Sequence, residues 1–141
     1  MPRESIALTH DELVAFASNE RWCVVATNDE DGGLWADAAA CCVADGTFYF
    51  RLPRETRAFA NILKDDRVCC ILERAPAYYE IKGASIHGKA SIVINGMLLG
   101  SLIPLLERGG DPVSAGARGD VYSLPLTDVA SFDFAKIKAK V

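Results

Sequence analysis

The alternation of apolar and polar residues predicts one amphipathic helix followed by a series of short strands. Thr9 and Glu12 have the spacing of a capping box, and the apolar positions of one helical face then continue to Asn19. Beyond this helix, β-branched and aromatic residues form three runs that are separated by turn-forming residues. The strands predicted from these runs are 22–27, 34–44 and 47–52.

The second half of the chain continues this alternation of helices and strands. The pattern predicts a helix over 55–64, a strand over 67–72, an extended segment over 78–93, a helix from Asn95 to about Arg108 and a final strand over 129–138. Gly83 and Gly88 interrupt the extended segment and predict bulges or sharp bends within it. The stretch 109–120 is rich in Gly, Pro and Ser, and we expect it to be a loop.

These elements predict a mainly β fold (β + α). Strands joined by short turns are antiparallel, and a long strand bent at glycines is typical of a sheet that closes on itself. We therefore expect a six-stranded antiparallel β-barrel with peripheral helices. The chain has 141 residues, which is the length of one domain, and we expect that domain to span 1–141.

Charge is distributed unevenly along the chain. The net charge of −4 argues against a general nucleic-acid-binding protein. Residues 1–50 contain two basic and nine acidic residues, whereas residues 51–90 contain eight basic and five acidic ones. No apolar run reaches the roughly 20 residues of a membrane helix, and the N-terminus has no signal-peptide pattern. We therefore expect no membrane partner and a cytoplasmic location.

The five cysteines predict buried structural side chains rather than disulfides or a metal site. Cys41-Cys42 and Cys69-Cys70 are adjacent pairs, and adjacent residues of a strand point to opposite faces of the sheet. No Cys-x-x-Cys pair occurs, and Cys23 makes the number odd. Neither histidine has potential ligands at metal spacing, so we predict no metal. No pattern typical of acid–base or nucleophilic catalysis is visible, and the sequence identifies no catalytic residue.

The most informative motif is a cluster of arginines where the third strand meets the second helix. Arg51, Arg54 and Arg57 lie within seven residues, beside the predicted helix N-terminus. The positive end of the helix dipole disfavours basic residues unless an anion lies among them. Arginine side chains and helix N–H groups bind phosphate well, and the Thr56 hydroxyl adds a donor. The alternative is a solvated corner in which Glu55 neutralises one arginine, and removal of Arg57 would then slightly stabilise the helix.

Several short segments, in this order along the chain, carry a resemblance to a known family. They are Val24 to Asp29 with Asp31-Gly32-Gly33, Asp45 to Phe50, Arg57 to Leu63, Asp65 to Val68, Glu80 to Gly83 and His87 to Ala90. They resemble the flavin-binding split barrel of the pyridoxamine 5′-phosphate oxidase-like family, over about residues 8–95. Residues 136–141 lack that family's C-terminal Arg-x-His substrate motif, so we do not expect a true pyridoxamine phosphate oxidase.

The resemblance implies a cofactor and the residues that bind it. In this family, basic and hydroxyl residues at the same strand-to-helix corner hold the phosphate of flavin mononucleotide (FMN). The residues implied for the phosphate are Arg51, Thr56 and Arg57, with Arg54 as a helper. Those implied for the isoalloxazine ring are Ala26, Thr27, Ala38 and Ala40, on the first two strands. The resemblance also implies a homodimer with the flavin at the subunit interface.

The expected function is that of an FMN-dependent oxidoreductase acting on an unidentified small molecule. Two alternatives stay open. One is a non-enzymatic flavin or haem protein for storage or electron transfer, and the other is the same fold with a deazaflavin cofactor. The absorption spectrum of the purified protein distinguishes these cofactors.

Overall fold

The computed structural model describes residues 5–108 and 119–138, and within these ranges the chain forms four α-helices and eight β-strands. The helices are α1 (His10–Asn19), α2 (Arg57–Lys64), α3 (Gly96–Glu107) and α4 (Ala135–Lys138). The strands are β1 (Trp22–Asn28), β2 (Leu34–Ala44), β3 (Thr47–Pro53), β4 (Arg67–Arg74), β5 (Lys82–Lys89), β6 (Ser91–Ile92), β7 (Gly119–Pro125) and β8 (Val129–Asp133). A short 3-10 helix, Tyr78–Glu80, precedes β5.

The start of α1 is fixed by the predicted capping box. The Thr9 hydroxyl accepts a hydrogen bond from Glu12 N at 3.2 Å, and Glu12 Oε1 accepts one from Thr9 N at 2.9 Å. These contacts satisfy two N–H groups that a helix start otherwise leaves without partners. The helix also ends at Asn19, as the sequence predicted.

All eight strands belong to one antiparallel sheet that is curled into a half-barrel. Their order is β6-β7-β3-β2-β1-β4-β5-β8. Only Ala90 separates β5 from β6, yet these strands lie near opposite ends of the order, so the sheet has to curve. The predicted split barrel with peripheral helices is confirmed, with eight strands instead of six.

The segment 78–93 is not the single bent strand that the sequence predicted. It contains the 3-10 helix, β5 and β6, and β5 pairs with β4 in continuous register over its whole length. Its glycines therefore mark no bulge and instead allow close packing. A Cβ at Gly83 would lie 2.7 Å from Phe132 Cζ, and one at Gly88 would lie 2.9 Å from a leucine side chain of β7.

Strand β7 is an element that the sequence analysis did not assign. Residues 109–118 of the predicted loop lie outside the described residues, but Gly119 and Asp120 already belong to β7. Val121 and Tyr122 are adjacent and both buried, so the strand is covered on both faces. Such a strand lacks the alternation of polar and apolar residues on which the prediction relied.

The final strand is shorter than the predicted 129–138. β8 ends at Asp133, whose Oδ1 atom accepts a hydrogen bond from Ala135 N at 3.0 Å. An aspartate that binds the backbone two residues ahead favours a turn over a continued strand. α4 follows this turn.

The two faces of the sheet pack against different helices. On the inner face, a large apolar cluster joins the sheet to α1 and α2; its fully buried members include Val25, Cys41, Phe48, Phe50, Leu52 and Ile86. On the outer face, Cys42 of β2 packs with Leu102 and Leu106 of α3. Cys41 and Cys42 therefore belong to different clusters, which confirms the prediction that the adjacent cysteines point to opposite faces.

Helix α3 is capped by Asn95, as the sequence predicted. The Asn95 side chain accepts hydrogen bonds from Met97 N at 3.0 Å and Leu98 N at 3.1 Å. The helix has 12 residues, fewer than the roughly 20 that span a bilayer. Across residues 5–108 and 119–138, no helix is both long and apolar enough to cross a membrane.

Candidate functional site

Arg57 is held by a carboxylate at the start of α2. The Asp29 side chain is only 6% exposed, and its Oδ1 atom accepts a hydrogen bond from Arg57 Nε at 2.9 Å. Arg57 Nη2 donates to the other oxygen, Oδ2. The guanidinium also lies 4.3 Å from the centroid of the Trp35 ring, within cation–π range. These hydrogen bonds lower the pKa of Asp29 and raise the pKa of Arg57. Arg57 is therefore a cation in a fixed position.

The other two arginines of the corner also have carboxylate partners. Arg54 Nη2 donates to Asp120 Oδ1 of β7 at 3.1 Å, and the Arg54 side chain is 68% exposed. Arg51 Nη1 donates to Glu107 Oε1 of α3 at 3.3 Å. The carboxylates thus come from distant parts of the chain, and not from Glu55, which the solvated-corner alternative invoked. Both of these pairs are at least partly open to water, where ion pairs are weak.

Thr56 is the N-cap of α2, so the helix begins at Arg57, two residues later than predicted. Its hydroxyl accepts a hydrogen bond from Phe59 N at 3.2 Å and donates one to Pro53 O at 2.7 Å. A further N-terminal amide, Ala58 N, donates to Asp37 Oδ2 at 3.1 Å. Two donors that the sequence predicted for a phosphate, the Thr56 hydroxyl and one N-terminal amide of α2, are therefore already hydrogen-bonded within this chain. A direct role for Thr56 in phosphate binding stays a prediction.

Arg51 and Arg57 lie on opposite sides of the sheet. Arg51 pairs with Ala40 of β2, on the face that α3 covers. Arg57 stacks on Trp35, which is five residues from Ala40 in β2 and so belongs to the other face. Arg57 is fixed by a bidentate carboxylate and by a stacked ring, and a shared phosphate contact with Arg51 stays a prediction.

A groove of about 480 Å³ runs along β1 and β4 on the outer face of the sheet. Its lining includes Ala26 and Thr27, which the sequence analysis placed near the flavin ring. Thr27 is itself 2% exposed, and its hydroxyl accepts a hydrogen bond from Asn61 Nδ2 at 3.1 Å. The buried Thr27 side chain therefore stabilises the wall of the groove, whereas the small side chain of Ala26 leaves space for a ligand within it.

The two predicted contacts in β2 differ in exposure. Ala38 is exposed beside Val24 of β1, whereas Ala40 is only 4% exposed. The open part of the outer face therefore includes Ala26 and Ala38. Contact of any of these residues with a flavin ring stays a prediction.

Three polar side chains meet on the outer face, and the sequence analysis did not connect them. Ser85 Oγ lies 3.1 Å from His87 Nε2, and Cys69 Sγ lies 3.8 Å from the same nitrogen. Partial burial raises the pKa of Cys69. The i, i+2 spacing of Ser85 and His87 was visible in the sequence, but the pairing of β4 with β5 was not. Among the residues that the structure describes, no group of three His, Cys, Asp or Glu side chains could hold a metal ion.

The antiparallel half-barrel with an arginine-rich corner after its third strand defines a split-barrel protein. The sequence profile described as pyridoxamine 5′-phosphate oxidase matches residues 9–138. The chain belongs to this family. No curated protein sequence matches it.

Solved structures share this fold at low sequence identity. A conserved hypothetical protein from Mycobacterium tuberculosis has a TM-score of 0.75 and 20% identity, with 98% of this chain and 92% of that one covered. HutZ, described as a haem storage protein from Vibrio cholerae, has a TM-score of 0.68 and 14% identity, with coverages of 86% and 93%. An FAD-binding protein from Mesorhizobium loti has a TM-score of 0.68 and 12% identity, with coverages of 89% and 94%. At these identities the similarity concerns the fold alone.

Proposed function

We propose that the protein is an FMN-binding oxidoreductase that acts on a small molecule. Membership of the pyridoxamine 5′-phosphate oxidase family supports a flavin, as does the shared fold with the FAD-binding protein from Mesorhizobium loti. The observation that carries the proposal is the fixed position of Arg57 at the corner where a phosphate is expected.

The Arg57 side chain fits a phosphate group. A guanidinium has five N–H groups, and Asp29 accepts two of them. Three N–H groups remain, along the edge of the guanidinium that carries Nη1. Because the Arg57 side chain is half exposed, a second anion can reach this edge. Arg54 is close in sequence, and its exposed pair with Asp120 can exchange for a phosphate.

The groove along β1 and β4 lies on the face opposite Arg57, but it reaches Asn28, the residue before the aspartate that holds Arg57. A flavin whose planar, largely apolar part lies in this groove therefore has its phosphate near the end of β1, where Arg57 lies. Ala26 and Ile71 contribute small or apolar surface to the groove, and Asn28 and Arg67 contribute polar groups at its border. A bound flavin supplies the redox chemistry, while the residues of this chain bind and orient it. This division of roles agrees with a sequence that contains no acid–base pattern.

Titration with FMN and riboflavin tests this proposal, because riboflavin lacks the phosphate. In Arg57→Ala, the dissociation constant for FMN should rise roughly ten- to hundredfold, since a charge-assisted contact is lost. The dissociation constant for riboflavin should stay unchanged, which also shows that the variant is folded. Lys64→Ala is the matched control, because Lys64 is a cation at the other end of α2 and pairs with Glu30. Unchanged FMN binding in Arg57→Ala, or equal losses for both ligands, would contradict the proposal.

The proposal includes a homodimer that forms through the open outer face. Val24 is 40% exposed and Ile71 is 39% exposed, and the register places Val24 directly between Ala38 and Ile71. Such a row of apolar side chains is typical of an interface. Sedimentation should show a dimer for the native protein and a monomer for Ile71→Lys. Leu63→Lys is the control, because Leu63 is an exposed apolar residue on α2, and it should leave the dimer intact.

A haem-binding protein is the second candidate function. The structural similarity to HutZ, a haem storage protein, supports it. The absorption spectrum of the freshly purified protein distinguishes the two candidates: a Soret band would favour haem, whereas flavin bands would favour FMN. A colourless monomer that binds neither ligand would contradict both.

A further inference from the structure

Asp29 is anchored by the turn that joins β1 to β2. Asp29 N donates to Gly33 O at 2.8 Å, and Gly32 N donates to Asp29 O at 3.1 Å. Gly32 has a φ of +85°, which the turn requires and which glycine adopts without strain. The backbone of Asp29 is therefore fixed independently of α2, and its carboxylate extends from a rigid hairpin to the helix.

The carboxylate of Asp29 accepts three hydrogen bonds from α2. Two come from Arg57, and the third comes from Asn61 Nδ2 to Oδ1 at 3.1 Å. Asn61 is 4% exposed and also donates to Thr27 Oγ1, so this network extends into the protein interior. The other two arginines of the corner have carboxylate partners that are more exposed, at 20% for Asp120 and 53% for Glu107. Asp29 therefore differs from a surface counter-ion.

Trp35 restrains the same guanidinium from a second direction. Its ring stacks on Arg57 at 4.3 Å, and its Nε1 atom donates to Asp37 Oδ2 at 2.9 Å. Asp37 is in turn bound to α2 through Ala58 N. The hydrogen bond of Nε1 thus fixes the indole ring, and the ring in turn fixes the plane of the Arg57 guanidinium. Within the described residues, Arg57 Nη1 has no hydrogen-bond partner.

We infer that Asp29 and Trp35 are positioning residues that orient Arg57 toward a phosphate monoester. Asp29 holds the Nε–Nη2 edge and Trp35 holds one face of the guanidinium, so the edge that carries Nη1 is directed to the ligand. A bidentate contact with a phosphate requires the guanidinium plane to have a defined orientation. This arrangement therefore favours a ligand that has a phosphate group over a ligand without a phosphate group. The inference rests on the proposed function.

The positioning role and a simple charge effect predict opposite outcomes for Asp29→Asn. Removal of the negative charge makes the corner more positive, and charge alone would strengthen FMN binding. Loss of the bidentate clamp leaves Arg57 free to rotate, and the entropy of fixing it again would weaken FMN binding. The sign of the change therefore identifies which effect dominates.

The experiment measures the ratio of FMN to riboflavin affinity in the wild type and in single variants. In Asp29→Asn, the ratio should fall roughly five- to tenfold, because a charge-assisted clamp is lost. In Trp35→Leu, it should fall roughly two- to fivefold, and Trp35→Phe should recover part of the loss because it keeps a ring. Glu20→Gln is the matched control and should leave the ratio unchanged: Glu20 is 13% exposed and holds Arg74, and neither residue lines the groove along β1 and β4 or belongs to the arginine-rich corner.

A structural role alone would lower the melting temperature without changing the ratio. An unchanged ratio in both Asp29→Asn and Trp35→Leu would overturn the inference, and so would a higher FMN affinity in Asp29→Asn. If the wild type itself binds FMN no better than riboflavin, the proposed function fails first. If the wild type prefers FMN, and the Asp29 and Trp35 variants keep the same FMN-to-riboflavin affinity ratio, the proposed function stands and the inference fails.

Discussion

The Asp37 carboxylate accepts the Ala58 N–H group at 3.1 Å, so a strand of the sheet supplies the anion at the N-terminus of α2. Asp37 also accepts the Trp35 indole N–H group. A carboxylate in this position interacts favourably with the helix dipole. Asp37 therefore binds one N–H group at the helix end where the sequence predicts a phosphate, and that phosphate stays a prediction.

Asp37→Ala should therefore destabilise the protein. Loss of a capping carboxylate and of two hydrogen bonds should reduce the free energy of unfolding by about 1–2 kcal/mol. Urea unfolding followed by circular dichroism measures this change. Glu55→Ala serves as the control, because Glu55 is an exposed acid beside the same helix end. Equal stability of the two variants would contradict the capping role.

Arg57→Ala should also lower stability, although the dipole argument from sequence predicts a small gain. The substitution removes two hydrogen bonds from the Asp29 carboxylate, which is 6% exposed and then retains only Asn61. A poorly hydrated carboxylate without its cation is unfavourable. The melting temperature should fall by roughly 2–6 °C. Arg54 is 68% exposed, so Arg54→Ala should leave the melting temperature nearly unchanged. A higher melting temperature in Arg57→Ala would instead support the dipole argument.

Stability should decrease in acid partly because of Glu12. Its hydrogen bond with Lys136, together with the bond from Thr9 N, lowers the pKa of Glu12 from 4.5 to about 2. A carboxyl group whose pKa is lower in the folded state stabilises the protein above its unfolded pKa and loses that contribution as the pH falls. The contribution should therefore be full above pH 4.5 and disappear toward pH 2.

The variant Glu12→Gln tests this pH dependence. Glutamine keeps a hydrogen-bond acceptor for Thr9 N but has no charge for Lys136. The stability difference between wild type and variant should be largest near neutral pH and should shrink between pH 4.5 and 2. A difference that is constant over this range would show that the charge of Glu12 has no influence.

Gly119→Ala and Gly100→Ala should have opposite effects on stability. A Cβ at Gly119 would overlap the backbone of Leu52 in the paired strand β3, whereas one at Gly100 of α3 would meet no atom within 4 Å. The first substitution should cost about 1–3 kcal/mol through overpacking. The second should add about 0.5–1 kcal/mol, because alanine favours a helix over glycine. Thermal unfolding of both variants measures the contrast, and equal effects would exclude this explanation.

Local patterns in the sequence predicted much of the fold. The capping box at Thr9 and Glu12 starts α1, and β2 has the predicted bounds of 34–44. These features depend on residues a few positions apart, and the sequence displays them directly. The strand β7 depends on burial on both faces by distant elements, and local alternation therefore did not reveal it.

The candidate site was predictable only as a location. The arginine cluster and the helix end were visible at 51–57, but the carboxylates that hold these arginines are far away in the sequence. Asp29 precedes Arg57 by 28 positions, and Asp120 follows Arg54 by 66. Strand pairing and helix packing bring these charges together, and residue spacing alone does not predict such contacts.

The brevity of β6 has a consequence for self-association in concentrated solution. β6 has two residues and forms one edge of the sheet, while the other edge is the five-residue strand β8. An edge strand exposes backbone groups that can template the addition of a foreign strand. Two residues offer too few of these groups for stable templating. The edge at β8 is also partly covered, because Asp133 N donates to Ile6 O at 2.8 Å and Leu8 N donates to the Ser131 hydroxyl at 2.9 Å. Within the described residues, neither edge of the sheet therefore offers a long free row of backbone groups to a foreign strand.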